Sequence, residues 1–145
     1  MEIVGSRAGG MEDEQNDPMS LVRILVVEDE PLIRMFVVDT LEDAGFHVEE
    51  AGSAAEALAK VVSESPLFAA VIVDVGLPDR PGDLLAAELR TSWAELPIII
   101  ASGHDRTALV SRFKDDGHIG VLGKPYNSCM LIDALRQMGV NASSG

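Results

Sequence analysis

The chain reads Ala-Ala-Val-Ile-Val at residues 69–73, an uninterrupted apolar run that ends directly in Asp74. A short continuous run of this kind, rich in β-branched residues, is typical of a strand covered by helices on both faces of a parallel sheet. A second run of the same character, Ile98 to Ala101, follows a segment of helical periodicity. The two runs therefore predict interior strands of an α/β fold.

Outward from these runs, short apolar stretches alternate with helical ones, which predicts βα units around one parallel sheet. Five strands are predicted, at Val22 to Val27, Phe46 to Glu49, Ala69 to Val73, Ile98 to Ala101 and His118 to Leu122. Helix signals lie between the strands. Pro31 suits the first turn of a helix that Gly45 would end, and Ser53 to Glu56 form a capping box at the start of a second helix. Helical patterns follow at Gly82 to Arg90, Asp105 to Lys114 and Asn127 to Met138. The sequence thus predicts an α/β, doubly wound (βα)₅ fold.

Length and composition fit one globular domain. The 145 residues, 47% of them hydrophobic, suffice for a single aliphatic core. Residues 1–20 hold five acids and no apolar periodicity, and we expect them to form a flexible acidic leader. We expect residues 21–138 to form the folded domain and residues 139–145 a short tail with no output domain.

Charge and cysteine content disfavour several classes of function. Asp and Glu number 24 against 11 Lys and Arg, and the net charge of −13 repels nucleic-acid phosphates and anionic lipids. The single cysteine, Cys129, indicates a reducing compartment, and no apolar run approaches the roughly 18 residues of a membrane span. We therefore expect a cytoplasmic protein that binds neither nucleic acid nor membranes directly.

Polar residues follow four of the predicted strands at the points where the strands end. They are Glu28-Asp29-Glu30, Asp74, Ser102-Gly103 and Lys124. Because ligands of an open parallel sheet bind outside the carboxyl ends of its strands, we expect three acids, a hydroxyl and a lysine to converge at one edge.

The converging acids require a cation. Two carboxylates about 4 Å apart repel by about 4 kcal/mol at an effective dielectric constant of 20. Lys124 balances one of the three charges of Glu28, Asp29 and Asp74, and a divalent ion would balance the other two. Mg²⁺ suits carboxylate ligands and bridges to phosphate oxygens. Asp74 is then the nucleophile that forms an acyl phosphate, Glu28 and Asp29 are the metal carboxylates, and backbone groups of the following loop, among them the Val75 N–H, reach the phosphate.

These motifs resemble the receiver domain of bacterial two-component response regulators, over Leu21 to Met138. The matching stretches are Ile24 to Glu30, Val73 to Pro78 with Gly82, Pro97 to Gly103, and Lys124 to Tyr126. The resemblance implies a flavodoxin-like three-layer sandwich whose parallel sheet has the order 2-1-3-4-5. It also implies site roles: Asp74 as phosphoacceptor, Glu28 and Asp29 as the acidic pair, the Gly76 carbonyl as a further Mg²⁺ ligand, Ser102 as the switch hydroxyl and Lys124 as the phosphate-contacting lysine.

The function implied by the resemblance is that of a single-domain response regulator. A sensor histidine kinase or a histidine phosphotransfer protein would donate the phosphoryl group to Asp74. The protein would then signal through contacts with a downstream protein that the sequence does not identify, or act as a phosphorelay intermediate. It would not be an enzyme beyond catalysing its own phosphorylation and dephosphorylation.

The sequence departs from the usual receiver in the switch region. Gly103 stands where the family often has Ala, and Val121 stands where most receivers place the Tyr or Phe that rotates inward on activation. Residues 101–103 resemble the Ala-Thr-Gly stretch of an alphaproteobacterial group of stand-alone receivers. For His104 two interpretations stay open, a modulator of dephosphorylation beside the phosphate or a solvent-facing loop side chain.

Other functions fit the residues less well. An aspartyl-phosphate phosphatase of the haloacid dehalogenase type has a second Asp two residues after the nucleophile, where Gly76 stands here. A nucleotide-binding α/β domain has a glycine-rich turn after its first strand, where this chain has Glu28-Asp29-Glu30-Pro31. An interaction module that works without phosphorylation remains the main alternative.

Overall fold

Five strands alternate with five helices in the computed structural model, which describes residues 22–64 and 68–142. In chain order they are β1 (Arg23–Val27), α1 (Pro31–Asp43), β2 (His47–Ala51), α2 (Ala54–Glu64), β3 (Phe68–Asp74), α3 (Gly82–Ser92), β4 (Ile98–Ser102), α4 (Arg106–Arg112), β5 (Ile119–Gly123) and α5 (Ser128–Gln137). All paired strands are parallel, in the order β2-β1-β3-β4-β5. The predicted (βα)₅ fold and its strand order are confirmed.

Helices cover both faces of the sheet. Successive side chains of a strand point to opposite faces, so Leu25 and Val27 of β1 join the core under α2, α3 and α4, whereas Ile24 and Val26 join the core under α1 and α5. Every residue of β4 is buried for the same reason. This two-sided burial explains the uninterrupted apolar runs and produces the predicted three-layer sandwich.

The element boundaries agree with the predicted ones to within two residues, and the differences at β2 and α4 have a visible cause. Strand β2 continues past Glu49 to Ala51, because its ladder with β1 extends until Ala51 pairs with Val27. Helix α4 is shorter than the predicted Asp105 to Lys114. The chain turns after Phe113, whose carbonyl accepts a hydrogen bond from the Asp116 N–H at 3.0 Å.

The predicted helix caps are present with one change. Gly45 follows α1 with φ +100°, a conformation that favours glycine, and the Asn127 side chain accepts a hydrogen bond from the Met130 N–H at 2.9 Å. At α2 the Ser53 hydroxyl accepts from the Glu56 N–H at 3.2 Å. The Glu56 carboxylate, however, accepts from the Gly52 N–H at 2.6 Å, so the reciprocal bond of the capping box is shifted by one residue.

The chain termini are described only in part. The predicted leader, residues 1–20, lies outside the described residues, and of the predicted tail, residues 139–142 lie within them. Val140 is buried, and its N–H donates to the Leu135 carbonyl at 2.9 Å, so this part of the tail packs onto the core below α5. Within residues 22–64 and 68–142, no helix is both long and apolar enough to cross a membrane.

Candidate functional site

The buried polar side chains of the described residues all lie at the carboxyl ends of the strands. They are Glu28, which follows β1, Asp74 at the end of β3 and Ser102 at the end of β4, with exposed fractions of 5%, 6% and 1%. Buried carboxylates and hydroxyls are costly unless they are paired. Their concentration at one edge therefore marks a candidate site, to which the strand ends bring these residues.

The acids form one cluster. Glu28, Asp29 and Asp74 each offer a carboxylate oxygen, and these oxygens lie within 4.8 Å of one another. Glu28 and Asp74 are buried, whereas Asp29 is exposed and opens the cluster to solvent. Burial raises the pKa of Glu28, and the charges of Asp74 and Asp29 raise it further, against the opposing effects of the Glu30 N–H and Lys124. The three carboxylates of the cluster therefore outnumber the one cation that the described residues place beside them, Lys124.

This donor set suits Mg²⁺. The ion takes oxygen ligands, is commonly bound by one or two carboxylates, and keeps several waters. Two buried carboxylates and one exposed carboxylate provide both the ligands and an open side for water or a phosphate oxygen. The residues that would hold it are Glu28, Asp29 and Asp74, with the Gly76 carbonyl predicted as a further ligand.

Both oxygens of Asp74 are held by hydrogen bonds. The Lys124 ammonium donates to Oδ1 in an ion pair, and the Gly76 N–H donates to Oδ2 at 3.0 Å. Lys124 is itself fixed, since its backbone N–H donates to the Ser102 carbonyl at 2.9 Å. The structure therefore places the predicted lysine at the predicted nucleophile.

The loop after Asp74 folds back on β3. The Gly82 N–H donates to the Val75 carbonyl at 2.8 Å, and a Cβ on Gly82 would lie 2.2 Å from the Asp74 carbonyl oxygen. Only glycine fits this approach between the start of α3 and the end of β3. Gly82 belongs to one of the motifs in the sequence, but its contact with Asp74 depends on tertiary packing that the sequence does not reveal.

One predicted backbone contact differs in the structure. The Val75 N–H donates to the Ala101 carbonyl at 3.0 Å, as a continuation of the ladder between β3 and β4. This N–H is therefore engaged within the sheet in this structure. The Gly76 N–H is instead a backbone donor at the Asp74 carboxylate itself.

The switch region lies beside this carboxylate. The Ser102 hydroxyl is buried and accepts a hydrogen bond from the Asp105 N–H at 3.3 Å. Gly103 is exposed, and a Cβ added to it would meet no atom within 4 Å. His104 is exposed on the same loop, so its influence on dephosphorylation stays a prediction.

The contacts of two residues near the acids were not predicted from the sequence. Arg34 of α1 donates to the Glu28 carbonyl at 2.7 Å and pairs with Glu50 at 3.1 Å, which ties the loop after β1 to the end of β2. Tyr126 packs near Phe36, with ring centroids 6.2 Å apart. Burial, together with the charges of Glu28 and Asp74, raises the pKa of Tyr126 to about 12. No local sequence signal indicates either contact.

Comparisons with known proteins agree with this geometry. The family described as "Response regulator receiver domain" matches residues 24–136. The chain is 30% identical over 126 residues to "Sensor kinase CckA" of Brucella abortus, covering 87% of this chain and 13% of that protein. It is 36% identical over 114 residues to "Transcriptional regulatory protein PdtaR" of Mycobacterium tuberculosis, covering 78% of this chain and 54% of that protein.

Solved structures show the same similarity. A response regulator receiver domain protein from Clostridium thermocellum has a TM-score of 0.75 at 27% identity, over 81% of this chain and 94% of that one. A CheY-like receiver domain protein from Methanospirillum hungatei has a TM-score of 0.72 at 28% identity, over 81% of this chain and 92% of that one. With the strand order, the acid cluster and the lysine at Asp74, these matches show that the chain belongs to the family of response regulator receiver domains.

Proposed function

We propose that Asp74 accepts a phosphoryl group from a phosphohistidine of a sensor histidine kinase or a histidine phosphotransfer protein, in the presence of Mg²⁺. The single observation that carries this proposal is the Asp74 carboxylate itself. It is buried, paired with Lys124 and surrounded by the Glu28 and Asp29 carboxylates within 4.8 Å. A metal-binding carboxylate beside a fixed lysine has the components needed for an acyl phosphate.

In the proposed reaction an oxygen of Asp74 attacks phosphorus, the P–N bond of the phosphohistidine breaks, and the electron pair of that bond goes to the imidazole. Lys124 stabilises negative charge on the phosphoryl oxygens, because its ammonium already lies at Oδ1. Mg²⁺, when bound by the acid cluster, supplies the additional positive charge. Ser102 contributes a hydroxyl from the end of the adjacent strand β4.

An exposed apolar surface beside the site favours a protein as the phosphodonor. Leu32 and Phe36 of α1 are 74% and 39% exposed, and they line a groove of about 530 Å³ together with Lys124, Pro125 and Tyr126. Exposed apolar patches of this kind are typical of protein interaction sites. Because Lys124 lies in the groove wall, a helix seated there would bring its histidine to the Asp74 edge.

The output of the proposed phosphorylation is a change in protein contacts. The net charge of −13 disfavours direct binding to nucleic acid or an anionic membrane. The exposed free cysteine, Cys129, supports a reducing compartment, and we propose that the protein acts in the cytoplasm.

The function does not require turnover of an external substrate. Gly76 occupies the position of the second acid of an aspartyl-phosphate phosphatase.

Phosphoramidate tests the proposal, because its P–N bond is the one a phosphohistidine would offer. The wild-type protein should gain the mass of one phosphoryl group with Mg²⁺ and none after chelation. Asp74→Asn should gain none, whereas Asp133→Asn, which removes an exposed acid of α5, should react like the wild type. A wild-type protein that stays unmodified would support the phosphorylation-independent interaction module instead.

A further inference from the structure

The side chain of Arg106, the first residue of α4, lies across Gly123 at the end of β5. A Cβ on Gly123 would be 3.0 Å from Cδ of Arg106 and 3.4 Å from its Nε. The missing side chain of Gly123 thus leaves the space that the arginine occupies. Arg106 is exposed, so this position is not imposed by burial in the core.

This position is next to the switch hydroxyl. Gly123 pairs with Ser102 in the ladder between β4 and β5, and paired residues of neighbouring parallel strands direct their side chains to the same face. Val121, two residues earlier on β5, packs with the core under α4 and lies on that face as well. The residue after Gly123 is Lys124, which contacts Asp74. Arg106 therefore lies between the Val121 position and the phosphoacceptor edge.

The charge of Arg106 is not neutralised by the described residues. Arg80, Arg90 and Arg112 pair with carboxylates of Glu88, Asp116 and Asp83. Arg106 forms no such pair with any carboxylate in residues 22–64 and 68–142, although the chain carries more than twice as many acids as bases. A cation in the first turn of a helix also opposes the helix dipole. Neither local charge nor helix stability explains an arginine here.

We propose that Arg106 is a second cationic phosphate contact, which moves from Gly123 to the phosphoryl group on Asp74 and thereby couples phosphorylation to α4. The inference rests on the proposed function of Asp74. Phosphorylation replaces a carboxylate of charge −1 with a group of charge about −2. With Mg²⁺ bound, Lys124 and the ion would balance the three acids before phosphorylation. The phosphorylated site would then carry one uncompensated negative charge, which the guanidinium of Arg106 would balance. Val121 has a short side chain that is stiff at χ1, so it cannot rotate inward on phosphorylation as an aromatic residue at this position would.

Three variants test whether the affinity for a phosphoryl mimic depends on the charge of Arg106 itself or on any positive charge in this part of the chain. Arg106→Gln removes the charge, Arg106→Lys keeps it, and Lys114→Gln removes an exposed charge two residues after the end of α4. The probe is beryllofluoride with Mg²⁺, and its dissociation constant is measured by titration calorimetry. A charge-assisted hydrogen bond predicts binding about tenfold weaker in Arg106→Gln. Arg106→Lys should retain most of the affinity, and Lys114→Gln should bind like the wild type.

Nuclear magnetic resonance gives a second readout on the unaltered protein. The Nε–H resonance of Arg106 should shift when beryllofluoride and Mg²⁺ are added together, and not with Mg²⁺ alone. Wild-type affinity in Arg106→Gln, or an unchanged Arg106 resonance in the complex, would overturn the inference and leave the proposed function intact. If wild-type Asp74 takes up neither beryllofluoride nor a phosphoryl group, the proposed function fails, and the inference fails with it.

Discussion

Replacing Gly82 by alanine tests whether the close approach of α3 to β3 sets the geometry of Asp74. The new Cβ would lie 2.2 Å from the Asp74 carbonyl oxygen and 2.8 Å from Cγ1 of Val73. These contacts are far shorter than van der Waals distances and the nearest atom belongs to the backbone, so the loop or the strand end must move. Overpacking of this kind costs about 1–3 kcal/mol, and we expect the upper end. The higher helix propensity of alanine offsets about 1 kcal/mol at most, which leaves a net loss near 2 kcal/mol.

The assay combines thermal unfolding with phosphorylation kinetics. For a domain of this size the expected loss lowers Tm by about 8 °C. The displaced Asp74 should also react more slowly with phosphoramidate. Gly117→Ala is the matched control, because a Cβ there would meet no atom within 4 Å, and it should leave both quantities unchanged. A Gly82→Ala protein with wild-type Tm and wild-type reaction rate would refute the reasoning.

Three further predictions concern charge, metal and loop chemistry. Burial alone would raise the pKa of Asp116. Hydrogen bonds from the His118 N–H and from the Arg90 guanidinium, 2.7 Å away, stabilise the carboxylate and outweigh burial, so the pKa is lowered. Asp116→Asn should therefore be about 1–2 kcal/mol less stable at pH 7, and the deficit should disappear as the pH falls through the lowered pKa of the folded state, as measured by urea unfolding. Mg²⁺ at about ten times its Kd should stabilise the wild type by about 1.4 kcal/mol and Asp29→Asn much less, as measured by Tm. His104→Ala should change the half-life of phosphorylated Asp74 severalfold, because the imidazole would position or exclude the attacking water. Equal half-lives of the two proteins from about pH 6 to 8 would show that His104 is a solvent-facing side chain without a role in dephosphorylation.

Most of the fold was predictable because its signals are local. Val71, Ile72 and Val73 mark an interior strand by residue type alone, and Gly45 and Asn127 mark helix ends through backbone conformation and side-chain capping. The convergence of the site residues followed from topology, since strands of a parallel sheet end at one edge. Boundaries such as the end of α4 depend on how the chain turns back to the sheet, and the periodicity continued past it.

Contacts between distant side chains and backbone were not predictable. The Asp79 carboxylate accepts hydrogen bonds from the N–H groups of Ala54 and Ala55, both at 2.9 Å, and so caps a helix that begins 25 residues earlier. These bonds lower the pKa of Asp79. The positions of Arg34 on the Glu28 carbonyl and of Arg106 across Gly123 arise in the same way, from tertiary packing.

The measurement that tests the central claim most directly is the identification of the modified residue. Wild-type protein is treated with phosphoramidate and Mg²⁺, digested at low pH, and mapped by tandem mass spectrometry. We predict one acyl phosphate, on Asp74, which is lost on treatment with hydroxylamine and does not form when Mg²⁺ is chelated. A phosphoryl group on any other residue, or one that persists in Asp74→Asn, would contradict this prediction.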